Sequence, residues 1–570
     1  MTLAVVAEQV RIGRLLARSV LDSALNFVSR GSVSWVTSWK QAAPRLLIAP
    51  QDLRTTDSTN AADIYAGRFI FSGTLVEAHG NSPFEVQPPT EEWAKALHGF
   101  SWLRHLKAAE TAVAKNNARA LVEDWIKACG GWHTVGWKQE VVARRILSWI
   151  TQSPLLLEGC DADFYKLFMR SLARQVRFLH QSLNETADGV PRLIAAIAIA
   201  SAYVCMEDQR KNVRHALRRL DQELERQILP DGGHISRHPG AILDILVELL
   251  PLRQALMMQG QVVSKAIMES IDRMMPMVRF FRHGDGSFAH FNGMSSTQGD
   301  IVATILAYDD ARGMPPAGAR HSGYQRLTGG SSVALVETGG IPAAAVSEKF
   351  HAGCLSFEFS SGRNRIVVNC GVSGLERAQW RSVARSTAAH STVEVAKQSS
   401  CRFLANTNLV GVIGTPTISG PRAVNVERKD GELEDKVIAS HDGYAAKCGV
   451  IHEREITLSR DGTVLDGIDR LKTTHKMGLQ QTYAIRFHLH PSIQCRELGN
   501  IVYLKCEDGE IWEFSAENTA VELSESIYLS DVYGHRRSTQ IVIPGVVKSD
   551  TAITWMLRKA SSTESLNQAL

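Results

Sequence analysis

The sequence predicts a multidomain protein of α-then-β class, in which a ring or layered array of antiparallel helix pairs precedes an antiparallel β-sandwich. Three observations predict it. The chain has 570 residues, and at about 150 per domain that suggests two to four units, each able to bury a core. Apolar residues recur at helical spacing through the first part of the chain, and past its middle the period changes to two.

In the helical part, Phe164, Leu167, Phe168, Leu172, Val176, Leu179 and Leu183 share one face, with Arg170, Arg174 and Arg177 opposite. That spacing predicts an amphipathic helix. Similar patterns fill 94–115, 118–128, 138–151, 189–206, 211–228, 240–258 and 262–282, separated by short Gly, Pro or Asp punctuation. Helices joined by short links bury their stripes against antiparallel neighbours. Eight of the 11 tryptophans lie between Trp35 and Trp149, which predicts a large aromatic contribution to the core or groove of this half.

The stretch Gly313-Met314-Pro315-Pro316-Ala317-Gly318 cannot continue a helix and lies where the period changes. It sets the expected domains: a helical domain at 1–312, with 1–93 as its N-terminal extension, and a sandwich at 320–570. In the second half Leu355, Phe357 and Phe359 alternate with polar residues, as do Tyr483, Ile485, Phe487 and Leu489 with Arg486, His488 and His490. Further strands are expected at 333–337, 365–369, 392–396, 454–459, 463–468, 501–505, 511–514, 540–543 and 552–557, with turns such as Arg460-Asp461-Gly462 between them. Many short strands with polar turns make a sandwich.

Composition narrows the function classes. Apolar residues are 44%, charged residues 21% and aromatics 7%, which is globular rather than disordered. Sixty-three Lys and Arg against 59 Asp and Glu leave +4, so no bulk charge draws nucleic acid or anionic lipid. Nine cysteines show no CxxC pair and are odd in number, which points to a reducing compartment. The N-terminal stretch has apolar residues before arginines, the reverse of a signal peptide, and apolar runs such as that from Leu193 fall short of the roughly 18–20 residues that cross a bilayer. The expectation is a cytoplasmic protein with no membrane insertion.

No P-loop, no GxGxxG after a strand, no HExxH and no GxSxG elbow is present, so nucleotide, zincin and hydrolase-elbow chemistry have no anchor. Four clusters combine histidine and arginine with glycine turns. The first, Leu229-Pro230-Asp231-Gly232-Gly233-His234-Ile235-Ser236-Arg237-His238-Pro239, is a tight turn between helices bearing two imidazoles and a guanidinium; the plain alternative is an Asp-Gly turn with exposed histidines. The second runs from Phe281 through His283, Asp285 and His290 to Asn292, with a solvated turn as its alternative. The third is Glu348-Lys349-Phe350-His351, and the fourth runs from Trp380-Arg381 through Arg385 to His390.

His351 and His390 could meet across neighbouring strands and, with Asn369, form a small polar or metal site. Two imidazoles and an amide make a poor zinc set, so any zinc would be structural, and a hydrogen-bonded cluster fits as well. Arg381 and Arg385, four apart, offer donors suited to a carboxylate, against an ordinary surface ion pair. For a glycoside hydrolase, Asp231 and Asp285 are the only loop carboxylates that could face each other.

These segments resemble the heparinase II/III family of bacterial polysaccharide lyases. The likeness covers most of the chain. It rests on Leu229-Pro230-Asp231-Gly232-Gly233-His234 and the Asp188-Gly189 to Ala202 helix in the first half. In the second it rests on His351 to Glu358, Arg365 to Gly371, Trp380 to His390, and His441-Asp442-Gly443-Tyr444. The resemblance implies an (α/α) toroid followed by an antiparallel β-sandwich, and β-elimination on a uronic-acid-containing chain. That chemistry neutralises the carboxylate, removes the C5 proton and protonates the leaving O4.

The sequence departs from the family at its catalytic positions. The carboxylate-handling Asn-His pair falls at Val190-Pro191, the catalytic Tyr near Ala241, and the first β-domain histidine near Lys349, while His351, Asn369 and His390 match positions that hold a metal in some members. Replacement chemistry would assign Arg192 to the carboxylate, His234 or His238 to proton transfer, and Arg381, Arg385, His290 and Lys349 to substrate binding. No cofactor is required, and the resemblance implies the periplasm or cell envelope as the alternative to a cytoplasmic location. The expected partner is an acidic polysaccharide or oligosaccharide; the alternative is a catalytically divergent carbohydrate-binding or scaffold protein. All these side chains, with His351 and His390, are expected to converge on one groove at the domain junction, and one chain names neither the glycan nor the oligomeric state.

Overall fold

The computed structural model describes residues 45–560 apart from 110, 310–312, 374–377, 406–408, 411–412, 475–480, 532–533 and 549, together with Gly13 and Ala17. Most of the expected N-terminal extension up to residue 44, Trp35 included, and the expected domain end at 312 lie outside the described residues.

The helical half forms because amphipathic segments start at side-chain caps and end at turns. Thr90, Thr111 and Asp161 each accept from a backbone N–H of the first turn of the helices Glu91–Gly99, Ala112–Cys129 and Ala162–Gln181. Gln139–Thr151, Val190–Cys205, Arg210–Gln227, Gly240–Met258 and Lys265–Phe280 follow. The segment expected as one helix over 94–115 is broken. Phe100 adopts a left-handed conformation at φ 58°, which ends the first helix, and Leu103–Ala108 restarts it. Val190–Cys205 is buried along nearly its whole length, so it reads as apolar all round and sits at the centre of the array. Trp93, Trp102, Trp125 and Trp149 are fully buried in this core rather than lining a groove.

The second half is built mainly from two stacked antiparallel sheets, with a small separate pairing of 402–403 and 417–419. One sheet runs in the order 424–430, 434–441, 450–459, 464–473, 550–559, 511–516, 501–505, 494–498. The other runs 522–528, 536–546, 482–489, 364–368, 357–361, 332–337, 324–329, 318–319, with 393–395 also paired to 482–489. Alternating residues of the two inner faces, among them Phe357, Phe359, Ile485, Phe487, Phe514 and Trp555, form the sandwich core. Leu355 does not share in the alternation: it sits in a turn at φ 60°, and the strand begins at Phe357.

The two halves are not separate bodies. The apolar core of the helices continues onto Ala319, Tyr324, Val333 and Leu335 of the second sheet. Two buried carboxylates finish the seam. Glu358 accepts from Arg365 Nη2 at 2.5 Å, His283 Nε2 at 3.1 Å, the His290 backbone at 3.0 Å and the Asn369 backbone at 2.9 Å. Glu337 accepts from Asn292 at 2.9 Å and pairs with Arg237 at 3.2 Å. Burial alone would raise the Glu358 pKa, but Arg365 and the hydrogen bond from His283 hold it below the usual carboxylate range.

Candidate functional site

A cleft of about 740 Å³ opens between the halves, with walls that include Thr90, Glu92 and Lys95 on the helical side and Glu348, Lys349, His351, Trp380 and Arg381 on the sandwich side. Its sandwich wall is made by the loop entering the strand at Phe357 and by the short helix Ala378–Arg385.

The cleft gathers only part of the expected set. Lys349, His351, Arg381 and Arg385 line it; Arg192, His234, His238, His290, Asn369 and His390 do not. The expectation of one groove lined by Arg192, His234, His238, His290, His351, Arg381, Arg385 and His390 is therefore corrected: those that are missing are turned onto internal hydrogen bonds away from the cleft, and burial alone does not separate them, since His351 at the cleft wall is itself only 3% exposed. His234 is 1% exposed and its ring bonds Ser236 and Gln227. His238 is 7% exposed and donates from Nδ1 to the Asn292 carbonyl at 2.8 Å. His290 lies beside Arg365 under Glu358. Burial holds the pKa of His234 and of His290 at about 3, and that of His238 well below 6.5, so all three are neutral.

Arg192 spends its guanidinium on the Thr186 carbonyl at 2.8 Å and on Asp188 at 3.6 Å. The start of its helix is covered, since a Cβ on Gly189 would come within 3.1 Å of Val346. Arg385, although at the cleft wall, donates to the carbonyls of Phe350, Thr415 and Ser347 at 2.9, 2.7 and 3.2 Å. It braces the loop instead of presenting free donors. The hydrolase pair fails as well: Asp231 caps the backbones of Gly233, His321 and Ser322, and Asp285 caps Ser287. The Asp285 pKa, which burial would raise, is lowered by Arg365, the opposite of what a general acid needs.

His351 and His390 do meet. His351 Nδ1 lies 3.2 Å from His390 Nε2, and His390 Nδ1 lies 2.7 Å from the Ser386 carbonyl. A carbonyl only accepts, so His390 carries its proton on Nδ1 and accepts at Nε2, which in turn places the His351 proton on Nδ1. His351 Nε2 is then an unprotonated lone pair, in a side chain that lines the cleft. Burial, together with the neighbouring His390 and Arg385, keeps the His351 pKa well below 6.5.

The same contacts argue against a metal at the expected trio. Asn369 donates to Glu358 at 3.3 Å and accepts from the Ser391 backbone at 2.9 Å, so its amide is spent away from the imidazole pair. Among the described residues no group of three or more His, Cys, Asp or Glu is placed to hold a metal ion. The residues present do not fit one.

The sequence clusters did not mark Lys95, Glu92 or His535, which reach the cleft only through tertiary packing. Trp380 stood beside Arg381 in the fourth cluster, and adjacency to a candidate cation was the one available signal.

Two family profiles match almost end to end, "Heparinase II/III N-terminus" over residues 76–311 and "Heparinase II/III-like, C-terminal" over 311–556. The chain belongs to the heparinase II/III family. Its architecture is that family's toroid and sandwich: the crystal structure of Heparinase III superposes with a TM-score of 0.72 at 15% identity, covering 97% of this chain and 92% of that one. A mutant of heparan sulfate lyase HepC from Pedobacter heparinus matches with a TM-score of 0.63 at 14% identity, over 97% and 91% of the two chains. At such identities the likeness is one of fold. FtsZ-localized protein C from Caulobacter vibrioides is 29% identical over 537 residues, 91% of this chain and 92% of that protein. Its name speaks of localisation rather than chemistry. Polysaccharide lyases are thus among the solved structures that this heparinase II/III member resembles in fold, and no helix among its described residues is long and apolar enough to cross a membrane.

Proposed function

We propose that the protein is a polysaccharide lyase that cleaves a uronic-acid-containing polymer by β-elimination, with His351 moving the proton and Lys349 and Arg381 on the carboxylate. One observation carries this reading: His351, a ring only 3% exposed at the wall of the cleft that Lys349 and Arg381 also line, has its tautomer set from behind so that Nε2 is unprotonated. Charge neutralisation acidifies the C5–H bond, and His351 Nε2 takes that proton. The electron pair forms the C4–C5 double bond as the C4–O4 bond breaks. The imidazolium then returns its proton to the leaving O4, so a single group serves both steps in the absence of a tyrosine among the described lining residues. Position beside the cleft favours His351 over His234, His238 and Arg192, which are spent on internal hydrogen bonds. A cytoplasmic location is part of the proposal, supported by nine unpaired cysteines that are buried or half-buried.

The test is incubation with a panel of uronic-acid polymers while following the ultraviolet absorbance of the new double bond. Absorbance that grows with time and disappears in H351A is the expected result. Saturable binding with no absorbance change overturns the lyase reading in favour of a non-lytic carbohydrate-binding protein, and reducing ends without unsaturation overturn it in favour of hydrolysis.

A further inference from the structure

Beyond the proton-moving group and the cations, the cleft holds an aromatic pair that the elimination chemistry does not use. Trp380, on the helix Ala378–Arg385, and His535, just before the strand Arg536–Val546, place their ring centroids 5.2 Å apart at 33°. Both line the cleft. The pair comes from segments more than 150 positions apart in sequence, so only the folded sandwich assembles it. Trp380 is half-buried and His535 exposed, whereas Trp93, Trp102, Trp125, Trp149, Trp512 and Trp555 are fully buried. A half-buried indole at the wall of an open polar cleft, supported by a second ring, is suited to the C–H face of a pyranose, and a flat ring offers this contact at little cost in side-chain freedom.

Charge on the walls narrows what can lie there. Lys95 is already paired with Glu140 at 2.8 Å and Glu91 at 3.1 Å, and Arg381 has Glu348 at 3.7 Å. Glu92 and Glu348 line the same cleft. These walls can take one carboxylate on Lys349 and Arg381, but they have no surplus of cations for a densely sulfated chain, whose anions would meet the two glutamates.

We propose that Trp380 and His535 form a ring-stacking subsite for an uncharged sugar adjoining the gripped uronate. The subsite rests on the lyase reading for its neighbour's role but not for its own existence. An unsulfated uronate–hexosamine hexasaccharide spans both subsites, while a uronate monosaccharide reaches only the cations.

The experiment compares wild type with W380A, W380F and H535A, using calorimetric binding and the absorbance assay on that hexasaccharide, on its heavily sulfated counterpart and on the monosaccharide. The expected result is that W380A raises Kd and KM for the unsulfated hexasaccharide about tenfold with kcat kept within about twofold. W380F retains most of the affinity, H535A weakens it less than W380A does, and monosaccharide binding is unchanged. Thermal unfolding of each variant separates misfolding from loss of the subsite, and W380F, which keeps a ring in place, decides the matter if W380A fails to fold. Unchanged Kd in W380A, or tighter wild-type binding of the sulfated chain, overturns the proposal while leaving cleavage intact. Binding that depends on Trp380 without any unsaturated product keeps the subsite and removes the lyase reading. A wild type that binds neither hexasaccharide overturns both.

Discussion

The Ser386 carbonyl sets the state of His351 without touching it, because each hydrogen bond in the relay allows one tautomer. Replacing His351 with Ala is expected to lower kcat/KM by about 10²–10⁴-fold, measured as the rate of double-bond formation. His390→Ala should lower kcat with KM little changed, since it frees the His351 tautomer without touching substrate. The His351 pKa lies below 6.5, first through burial and then through His390 and Arg385, so its base form persists at neutral pH. The acid limb of kcat/KM is expected below pH 6.5; a limb at or above that value contradicts the assignment. At this scale the sequence showed which residues cluster but not which are spent. Arg381 and Arg385 read alike as neighbours four apart, yet Arg385 bonds three carbonyls and Arg381 faces the cleft. Arg385→Ala should cost about 1–3 kcal/mol in urea unfolding by stranding those carbonyls, whereas Arg381→Ala should leave the urea midpoint unchanged and lower kcat as well as raise KM, because it removes charge from the carboxylate whose neutralisation acidifies C5–H.

Among elements, period-two alternation found many of the sandwich strands, Ser332–Glu337 and Asp550–Lys559 among them, but not Tyr324–Gly329, which is buried on both faces and so shows no alternation. It missed the pair Val424–Asp430 and Glu434–His441, whose charged stretch reads as polar loop because the first of them is an exposed edge strand. It also missed the hairpin Arg68–Phe71 and Thr74–Glu77 at the cleft mouth, too short to show a period. The histidine-bearing turn after Phe281 gave no hint of its role. Its Gly284 lies so close to the sandwich that a Cβ there would fall 1.8 Å from the Gly362 carbonyl oxygen, backbone against backbone. Gly284→Ala is expected to destabilise by at least about 1–3 kcal/mol, read from the denaturant midpoint, because neither chain can move without opening the seam.

For the molecule as a whole, the turns expected to line a groove instead clamp the halves together through Glu358 and Glu337. With the apolar core continuous across the seam, calorimetry is expected to give one unfolding transition rather than one per half. Glu358→Ala, which leaves Arg365 buried without its partner, should cost about 3–5 kcal/mol. Burial holds His234 and His290 at about 3 and, against the Ser386 hydrogen bond, His390 at about 4, all below their ordinary 6.5. The unfolded chain therefore takes up these protons first. Their contribution to stability is complete above pH 6.5 and is lost as pH falls from there toward 4 and then 3. Denaturant midpoints at pH 7, 5.5 and 4.5 check the slope, and a flat profile across that window would falsify the buried-neutral assignment.

Periodicity alone specified the order of architecture, helices and then strands, because the 3.6- and 2-residue repeats are local consequences of backbone geometry that each segment writes for itself. Which polar groups would be walled in, which imidazole would stand at the cleft wall, and that Trp380 would meet His535 were settled only by packing. Exposure and hydrogen-bond partnership depend on segments far apart in the chain, and no local repeat encodes the neighbours that folding brings.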